Sequence, residues 1–397
     1  MKKRPKEQSA CVILEELKKD EGMTKVELAS RLQLSFATIS NLCKVLEEKG
    51  YILSKEGSVS TGGRRPNKIC LNSTFGCFAI LTFSYPTDVF KLELVDFSFK
   101  KINAKLVMYD NILSIESLMD TIQHEMLEAL EECGKKKKDL LGICFSIPGV
   151  FDKKRDTTFT KNKKLINNIR LRERVRKMFS TTVVIENDAN LVALGYASKM
   201  NSRIRNMLML FFTHGVGLGI LCDGEIFRGR SGYAGEIGHI RSSESEKRCE
   251  SCGAMGCLET VVTLRYILFD FYEGKYSMQE ILKRQDYFFA ELLKSQRNGD
   301  PHAGRVIARA GRAIGDLLGS LTDLFNPEII GLCGDNIPLI RECLETINLS
   351  MRERSFIIDD NDTPLMIMEN YEELMTLGAT EMIFSEWLRS NQLIGDK

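Results

Sequence analysis

Near residue 72 the spacing of apolar residues changes character, and that break restricts the chain to two differently built parts. Upstream, apolar residues recur at helical intervals in three short stretches and then in two strand-like runs. Downstream, apolar runs of strand length alternate with helical segments, the order of an α/β architecture. With 43% hydrophobic and 27% charged residues, the chain has enough apolar surface to offset its conformational entropy, which excludes global disorder.

Residues 1–72 parse as three helices and a hairpin. A helix from Glu7 to Lys19 offers Val12, Ile13, Leu14 and Leu17 as its apolar face. Thr24 and Glu27 form a capping box for a short second helix, which brings Val26, Leu28, Ala29 and Leu32 towards a core. Ser35 suits the N-cap of a third helix running from Phe36 to about Lys49, with Ile39, Leu42, Cys43 and Leu46 as its buried stripe. After Gly50, Tyr51–Ser54 can pair with Lys68–Leu71. Two helices joined by a short turn and followed by a β-hairpin describe a winged helix-turn-helix, in which the second helix of the pair enters the major groove of duplex DNA.

The outward face of that helix carries Ala37, Thr38, Asn41 and Lys44, small and polar residues suited to base edges and phosphates. The wing, Thr61-Gly62-Gly63-Arg64-Arg65-Pro66, sets Arg64 and Arg65 on an extended tip that fits a narrow minor groove. Charge agrees: residues 1–72 hold 14 Lys/Arg against 9 Asp/Glu, the remainder 41 against 45. A basic head on a slightly acidic body is expected to meet a polyanion. The alternative is a small helical domain that binds protein or merely caps the body. The arginine pair directly after a recognition-like helix argues against it.

In the body, strands are expected at residues 78–83, 90–95, 140–147, 183–185, 207–212, 217–222 and 329–332, with a helix at 115–133 between the second and third. The strand at 183–185 closes on Glu186-Asn187-Asp188-Ala189-Asn190 ahead of a helix, and in α/β sheets ligands sit at such carboxyl ends.

Between Gly235 and Glu259 the chain reads Gly-Glu-Ile-Gly-His, nine residues, then Cys-Glu-Ser-Cys-Gly-Ala-Met-Gly-Cys-Leu-Glu. His239, Cys249, Cys252 and Cys257 make a Cys₃His set, a common tetrahedral environment for structural zinc. Four protein ligands close the coordination shell, so the expected Zn²⁺ is structural. Most other cysteines (Cys11, Cys43, Cys70, Cys144, Cys222, Cys333) stand alone in apolar segments, where a free thiol behaves as a small hydrophobe. No apolar run approaches the ~18–20 residues that span a bilayer, and no signal-like segment follows the basic start. A soluble cytoplasmic protein without membrane contact is expected.

In order, the chain contains the winged-helix head with Gly62-Gly63-Arg64-Arg65-Pro66, then Ile147-Pro148-Gly149, Glu186-Asn187-Asp188-Ala189-Asn190, Gly215-Val216-Gly217-Leu218-Gly219, Gly235-Glu236-Ile237-Gly238-His239 and the cysteine cluster ending at Glu259. That set resembles the ROK family (repressors, open reading frames and kinases), in particular its DNA-binding repressor branch, over essentially the whole chain. One departure is the Cys249-x-x-Cys252 spacing, where the family usually has Cys-x-Cys. The resemblance implies a two-lobed, sugar-kinase-like body of the hexokinase and actin type. The domains would be a winged helix-turn-helix at 1–72, a first α/β lobe at 73–190 completed by a C-terminal helix at 374–397, and a second lobe at 191–373 holding the metal.

It also implies a sugar or sugar-phosphate effector held by Asn187, Asp188, Glu236, His239 and Glu259. Asp188 matches the general base of the kinases, and His239 would be shared between metal and sugar. Carboxylates and a carboxamide suit vicinal hydroxyls, because a polar site discriminates against a ligand that leaves its groups unpaired. A kinase of this family also needs an Asp-x-Gly-Gly-Thr hairpin. The matching stretch here, Leu81-Thr82-Phe83-Ser84-Tyr85-Pro86, has no glycine for close approach of backbone to phosphate. The expectation is therefore a sugar-responsive repressor rather than an enzyme, acting as a homodimer or homotetramer on a double-stranded operator. The alternatives are an active sugar kinase with a DNA-binding appendage, or a regulator that senses a sugar-transport protein.

Overall fold

The structure is a computed structural model that describes residues 5–20, 22–55, 67–84, 87–109, 111–160, 164–201, 203–356 and 363–394. The wing residues Arg64 and Arg65 lie outside the described residues, as do Tyr85 and Pro86. The chain divides into two compact units: Met1–Gly149 with Arg155–Glu186 and Ala379–Lys397, and Val150–Lys154 with Asn187–Gly378.

The head occupies the start of the first unit. Helix α1 (Pro5–Leu17) precedes a two-residue strand β1 (Met23–Thr24), helix α2 (Lys25–Leu32) and helix α3 (Phe36–Glu48). Strands β2 (Ile52–Lys55) and β3 (Lys68–Leu71) follow, and the three strands form a sheet in the order β1-β3-β2. The expected caps are present: Glu27 N–H donates to Thr24 Oγ1 at 3.2 Å, Thr24 N–H to Glu27 at 2.7 Å, and Thr38 N–H to Ser35 Oγ at 3.1 Å. Ile39, Leu42, Cys43 and Leu46 are the buried stripe of α3. Two apolar faces come out narrower than the sequence suggests. Val12 and Val26 are exposed, and on α2 only Leu28 is buried, because an eight-residue helix on a small core has room for one stripe.

The same unit contains a five-stranded sheet in which Cys77–Phe83 pairs parallel with Leu140–Ile147 and antiparallel with Val89–Asp96. An unexpected edge strand, Lys101–Met108, extends it. Its polar inward face escaped apolar pattern reading: Asn103 and Lys105 bond to Glu132 and Glu128 of the helix Ile115–Glu132.

The head is fixed to this sheet by the last part of the C-terminal helix, Tyr371–Ser390. Trp387, the only tryptophan, stands edge-on to Tyr51 at 5.9 Å, Phe75 at 6.1 Å and Phe97 at 5.4 Å. Lys18 pairs with Glu381, and Glu7 accepts from the backbone N–H groups of Leu393 and Ile394. Tyr51 begins the hairpin and Lys18 follows α1, so two sides of the head are anchored. Trp387→Ala should therefore destabilise this unit by about 3–5 kcal/mol through the lost aromatic burial. Urea unfolding followed by far-UV circular dichroism checks it, and a change below about 1 kcal/mol, the level of an ordinary surface substitution, would contradict the anchoring.

The second unit is built on a sheet in which Met207–Phe212 pairs antiparallel with Val216–Cys222 and parallel with Ile329–Gly334. The short strand Leu365–Met368 extends it beyond Ile329–Gly334. The helix Asp188–Lys199 lies against the first part of the C-terminal helix at backbone contact distance. A Cβ on Gly195 would stand 1.8 Å from the Leu374 carbonyl, and one on Gly378 1.9 Å from that of Leu191. Only glycine at both positions permits this crossing. Among the described residues no helix is long and apolar enough to cross a membrane. All twelve cysteines are free thiols; Cys43, Cys70, Cys144 and Cys333 are buried, whereas Cys11 and Cys222 are half-buried.

Candidate functional site

Four of the residues expected to meet DNA lie on α3. Ala37, Thr38, Asn41 and Lys44 are all exposed on one face, opposite the buried stripe. Thr38 Oγ1 lies 2.8 Å from Ser35 Oγ, so it shares in the N-cap, and Lys44 is 3.9 Å from Glu48, an exposed pair of small energetic consequence.

The residues expected to hold sugar and metal all fall in the second unit. Asn187 is the N-cap of the helix Asp188–Lys199, its side-chain oxygen accepting from Ala189 N–H at 2.9 Å and Asn190 N–H at 3.4 Å. Its carbonyl is thereby committed to the helix, which orients the carboxamide. Asp188 Oδ1 accepts from Ala189 N–H at 2.8 Å. Surrounding protein desolvates this carboxyl and pushes it up to about 7; the Ala189 bond opposes the shift and the Glu236 charge adds to it. Glu236 keeps an exposed surface, yet desolvation of its carboxyl raises it too, with His239 opposing and Glu259 reinforcing. Asp188, Glu236, His239 and Glu259 thus belong to one electrostatic neighbourhood.

A raised carboxyl makes stability depend on pH. Between the ordinary Asp range near 4 and about 7, the folded protein holds a proton on Asp188 that the unfolded chain has released. This contribution is complete below pH 4 and lost as pH rises through 7. Asp188→Asn should be more stable than wild type at pH 8 and should show a flatter decline between pH 5 and 8 (thermal melts across that range). Parallel curves for the two proteins would contradict the shift.

Glu259 is buried, and its Oε1 is already engaged. Ser251 Oγ donates to it at 2.6 Å, and the buried Arg265 guanidinium forms an ion pair with it. The other oxygen, Oε2, points at two glycines; a Cβ on either Gly215 or Gly238 would lie 3.6 Å from it. The sequence suggested that carboxylates and a carboxamide together meet vicinal hydroxyls. At Glu259 one oxygen is left for a ligand.

Ser251, Arg265 and His214 are the residues that sequence reasoning missed. The available signal was Arg265 itself, a charge in the apolar helix Leu264–Phe271 six residues beyond Glu259. Burial, reinforced by Arg265, lowers His214 to about 4 and keeps that imidazole neutral at physiological pH.

His239, Cys249, Cys252 and Cys257 converge, with their ligand atoms all within 4.8 Å of one another. His239 Nδ1 lies 3.8 Å from Cys249 Sγ, and Cys252 Sγ lies 3.4 Å from Cys257 Sγ. Zinc–sulfur bonds of about 2.3 Å put two tetrahedral sulfurs about 3.8 Å apart, so this donor set can hold a metal ion with little adjustment. The loop is pinned at both ends. Cys249 N–H bonds to the Ala254 carbonyl at 2.8 Å, and Gly256, at φ +75°, brings the chain back where a Cβ would strike the Ser245 carbonyl at 2.8 Å. The exposed His239 ring turns Nδ1 to the Cys249 thiol.

Comparison with known proteins gives the same two-part division. Residues 95–371 match the ROK family, and residues 12–52 match a winged helix-turn-helix DNA-binding pattern. A xylose repressor from Caldicellulosiruptor bescii is 25% identical over 400 residues, covering 96% of this chain and 97% of that protein. The DNA-binding transcriptional dual regulator NagC of Escherichia coli K12 is 25% identical over 340 residues, covering 82% and 81%. Among solved structures, a ROK family transcriptional regulator described as a homologue of the E. coli MLC protein superposes with a TM-score of 0.80 at 20% identity, over 98% of this chain and 99% of that one. A ROK hexokinase from Thermus thermophilus gives 0.64 at 22% identity, over 79% and 100%. The chain belongs to the ROK family and joins a winged helix-turn-helix head to that family's sugar-kinase-like body.

Proposed function

We propose that this protein is a sugar-responsive DNA-binding transcriptional regulator, a repressor of carbohydrate-utilisation genes. What carries the reading is the joint presence of an exposed α3 face in a winged head and a cluster of carboxyls, a carboxamide and an imidazole about the start of the helix Asp188–Lys199. The full-length similarity to a xylose repressor and the similarity to NagC support it. Asn187, Asp188, Glu236, His239 and Glu259 would hold a sugar or sugar phosphate. Ala37, Thr38, Asn41, Lys44, Arg64 and Arg65 would contact a double-stranded operator as part of a homodimer or homotetramer. His239, Cys249, Cys252 and Cys257 would hold a structural Zn²⁺ that fixes the His239 ring. The sugar acts only through different affinities for the DNA-competent and DNA-incompetent arrangements.

A kinase reading draws on one observation, the elevation of Asp188 to about 7, which suits a general base. Against it stands the strand end at Leu81-Thr82-Phe83-Ser84. Phe83 is buried there against Phe90 at 5.6 Å, Tyr109 at 5.9 Å and Phe145 at 6.2 Å, where the kinases have a glycine turn against phosphate. Bulk of this kind does not offer backbone amides to ATP, so we assign no phosphate transfer.

Selection from fragmented genomic DNA should recover a palindromic site. Binding to it should weaken steeply with salt, because each neutralised phosphate releases counterions. Arg64→Ala with Arg65→Ala should lower the log–log salt slope by about 2, one per lost phosphate-region contact. An unchanged slope in fluorescence anisotropy would remove the wing from the interface.

A further inference from the structure

Glu250 and Ser251, the two residues between Cys249 and Cys252, both dock onto the segment that carries Glu259. Glu250 N–H donates to Tyr266 Oη at 3.2 Å, and Ser251 Oγ donates to Glu259 Oε1 at 2.6 Å. Arg265 reaches the same carboxylate oxygen from the helix Leu264–Phe271, and its buried Nε has no hydrogen-bond partner. The rest of the loop is tied to the helices behind it: Lys247 and Arg309 both pair with Asp270, and Arg312 pairs with Glu244 at 3.2 Å. The Ser251 bond joins the cysteine loop to Glu259, while Cys249 Sγ meets His239 Nδ1 at 3.8 Å.

We propose that Ser251 and Arg265 are positioning residues that hold Glu259 with a single oxygen turned to the ligand, and that Ser251 makes effector affinity depend on metal in the cysteine loop. This rests on the sugar-binding reading given above. Two donors on Oε1 fix the carboxylate rotamer, so Oε2 faces the space over Gly215 and Gly238, where no Cβ obstructs a hydroxyl. A carboxylate with one free oxygen accepts from one hydroxyl, which selects by the direction of that hydroxyl rather than by grasping a vicinal pair. The buried Arg265–Glu259 pair is internally neutral, and the other acidic groups in the cluster, Asp188 and Glu236, disfavour an added negative charge. The ligand class at this end is therefore an uncharged sugar hydroxyl. A metal on Cys249 and Cys252 would hold the two residues that flank Glu250 and Ser251; without it, Ser251 is held on Glu259 only by the hydrogen bonds and ion pairs of the loop.

The experiment measures sugar affinity by calorimetry on the full chain, using D-xylose, D-glucose and N-acetylglucosamine, alongside zinc content. Ser251→Ala should keep its zinc yet bind the preferred sugar about tenfold more weakly, the fold-change of one lost hydrogen bond to a charged group. Ser251→Thr, which retains the hydroxyl, should restore affinity. Chelation should weaken wild type at least to the level of Ser251→Ala and should weaken Ser251→Ala by a smaller factor. Arg265→Lys should bind more tightly than Arg265→Gln. Wild-type affinity in zinc-replete Ser251→Ala, or equal chelation factors in both proteins, overturns the proposal while leaving the sugar reading in place. A wild-type chain that binds none of the three sugars overturns both.

Discussion

Asp188→Ala should abolish the release of this protein from its operator by sugar, while its DNA affinity in the absence of sugar stays near that of wild type, because Asp188 is not on the α3 face. Asp188 begins the helix Asp188–Lys199, held in place by the Asn187 cap and by Ala189 N–H. A carboxyl so fixed needs no reordering when a hydroxyl arrives, and its removal leaves that hydroxyl unpaired in a desolvated site at about 1–3 kcal/mol per lost bond. Two hydroxyl bonds would correspond to roughly a hundredfold or more in affinity. Thermal shift with saturating sugar provides the readout, since ligand binding to the native state raises apparent stability. A full sugar-induced shift in the alanine variant would take Asp188 out of the site.

Cys257→Ser should lose the metal. Its sulfur is buried, lies 3.4 Å from Cys252 Sγ and follows the Gly256 turn that closes the loop. A serine hydroxyl is a poor replacement for thiolate, and apparent zinc-binding energies reach about 10–16 kcal/mol in small structural sites. Elemental analysis of protein purified without added metal should give one zinc per chain for wild type and much less than one for Cys257→Ser, with faster proteolysis of the 240–258 loop. Cys249→Ser should behave alike, because Cys249 Sγ sits 3.8 Å from His239 Nδ1. Full zinc in Cys249→Ser would reduce the ligand set to three protein groups.

Local chemistry made much of this molecule legible in its sequence. Thr24 with Glu27, and Ser35 ahead of Phe36, announce helix starts because a cap needs only neighbours; Met207–Phe212 is a fully apolar run, and Leu140–Ile147 is one but for Gly142 and Ser146, as a buried sheet demands. The strand Lys101–Met108 was not legible. Its Lys105 pairs with Glu125 and Glu128 of a helix and its Lys101 with Glu93 of the neighbouring strand, and such pairing leaves no mark on local hydrophobic pattern. The site divides in the same way. His239 and the cysteines stand close in sequence, and their chemistry converges on one point. The roles of Ser251 and Arg265 depend on how the carboxylate of Glu259 is turned, which spacing alone does not specify. The anchoring of the head by Trp387 pairs residues over three hundred positions apart and is equally invisible to local reading.

The central claim is that sugar controls DNA binding without being consumed. One experiment joins both halves: anisotropy of a labelled operator fragment and a coupled ATP-consumption assay, run on the same full-length protein across a panel of free and phosphorylated sugars. The expected result is release from DNA by one sugar class at saturation, with no ATP turnover for any sugar. Sustained turnover near the ~10 s⁻¹ typical of enzymes, with operator binding indifferent to every sugar, would contradict it.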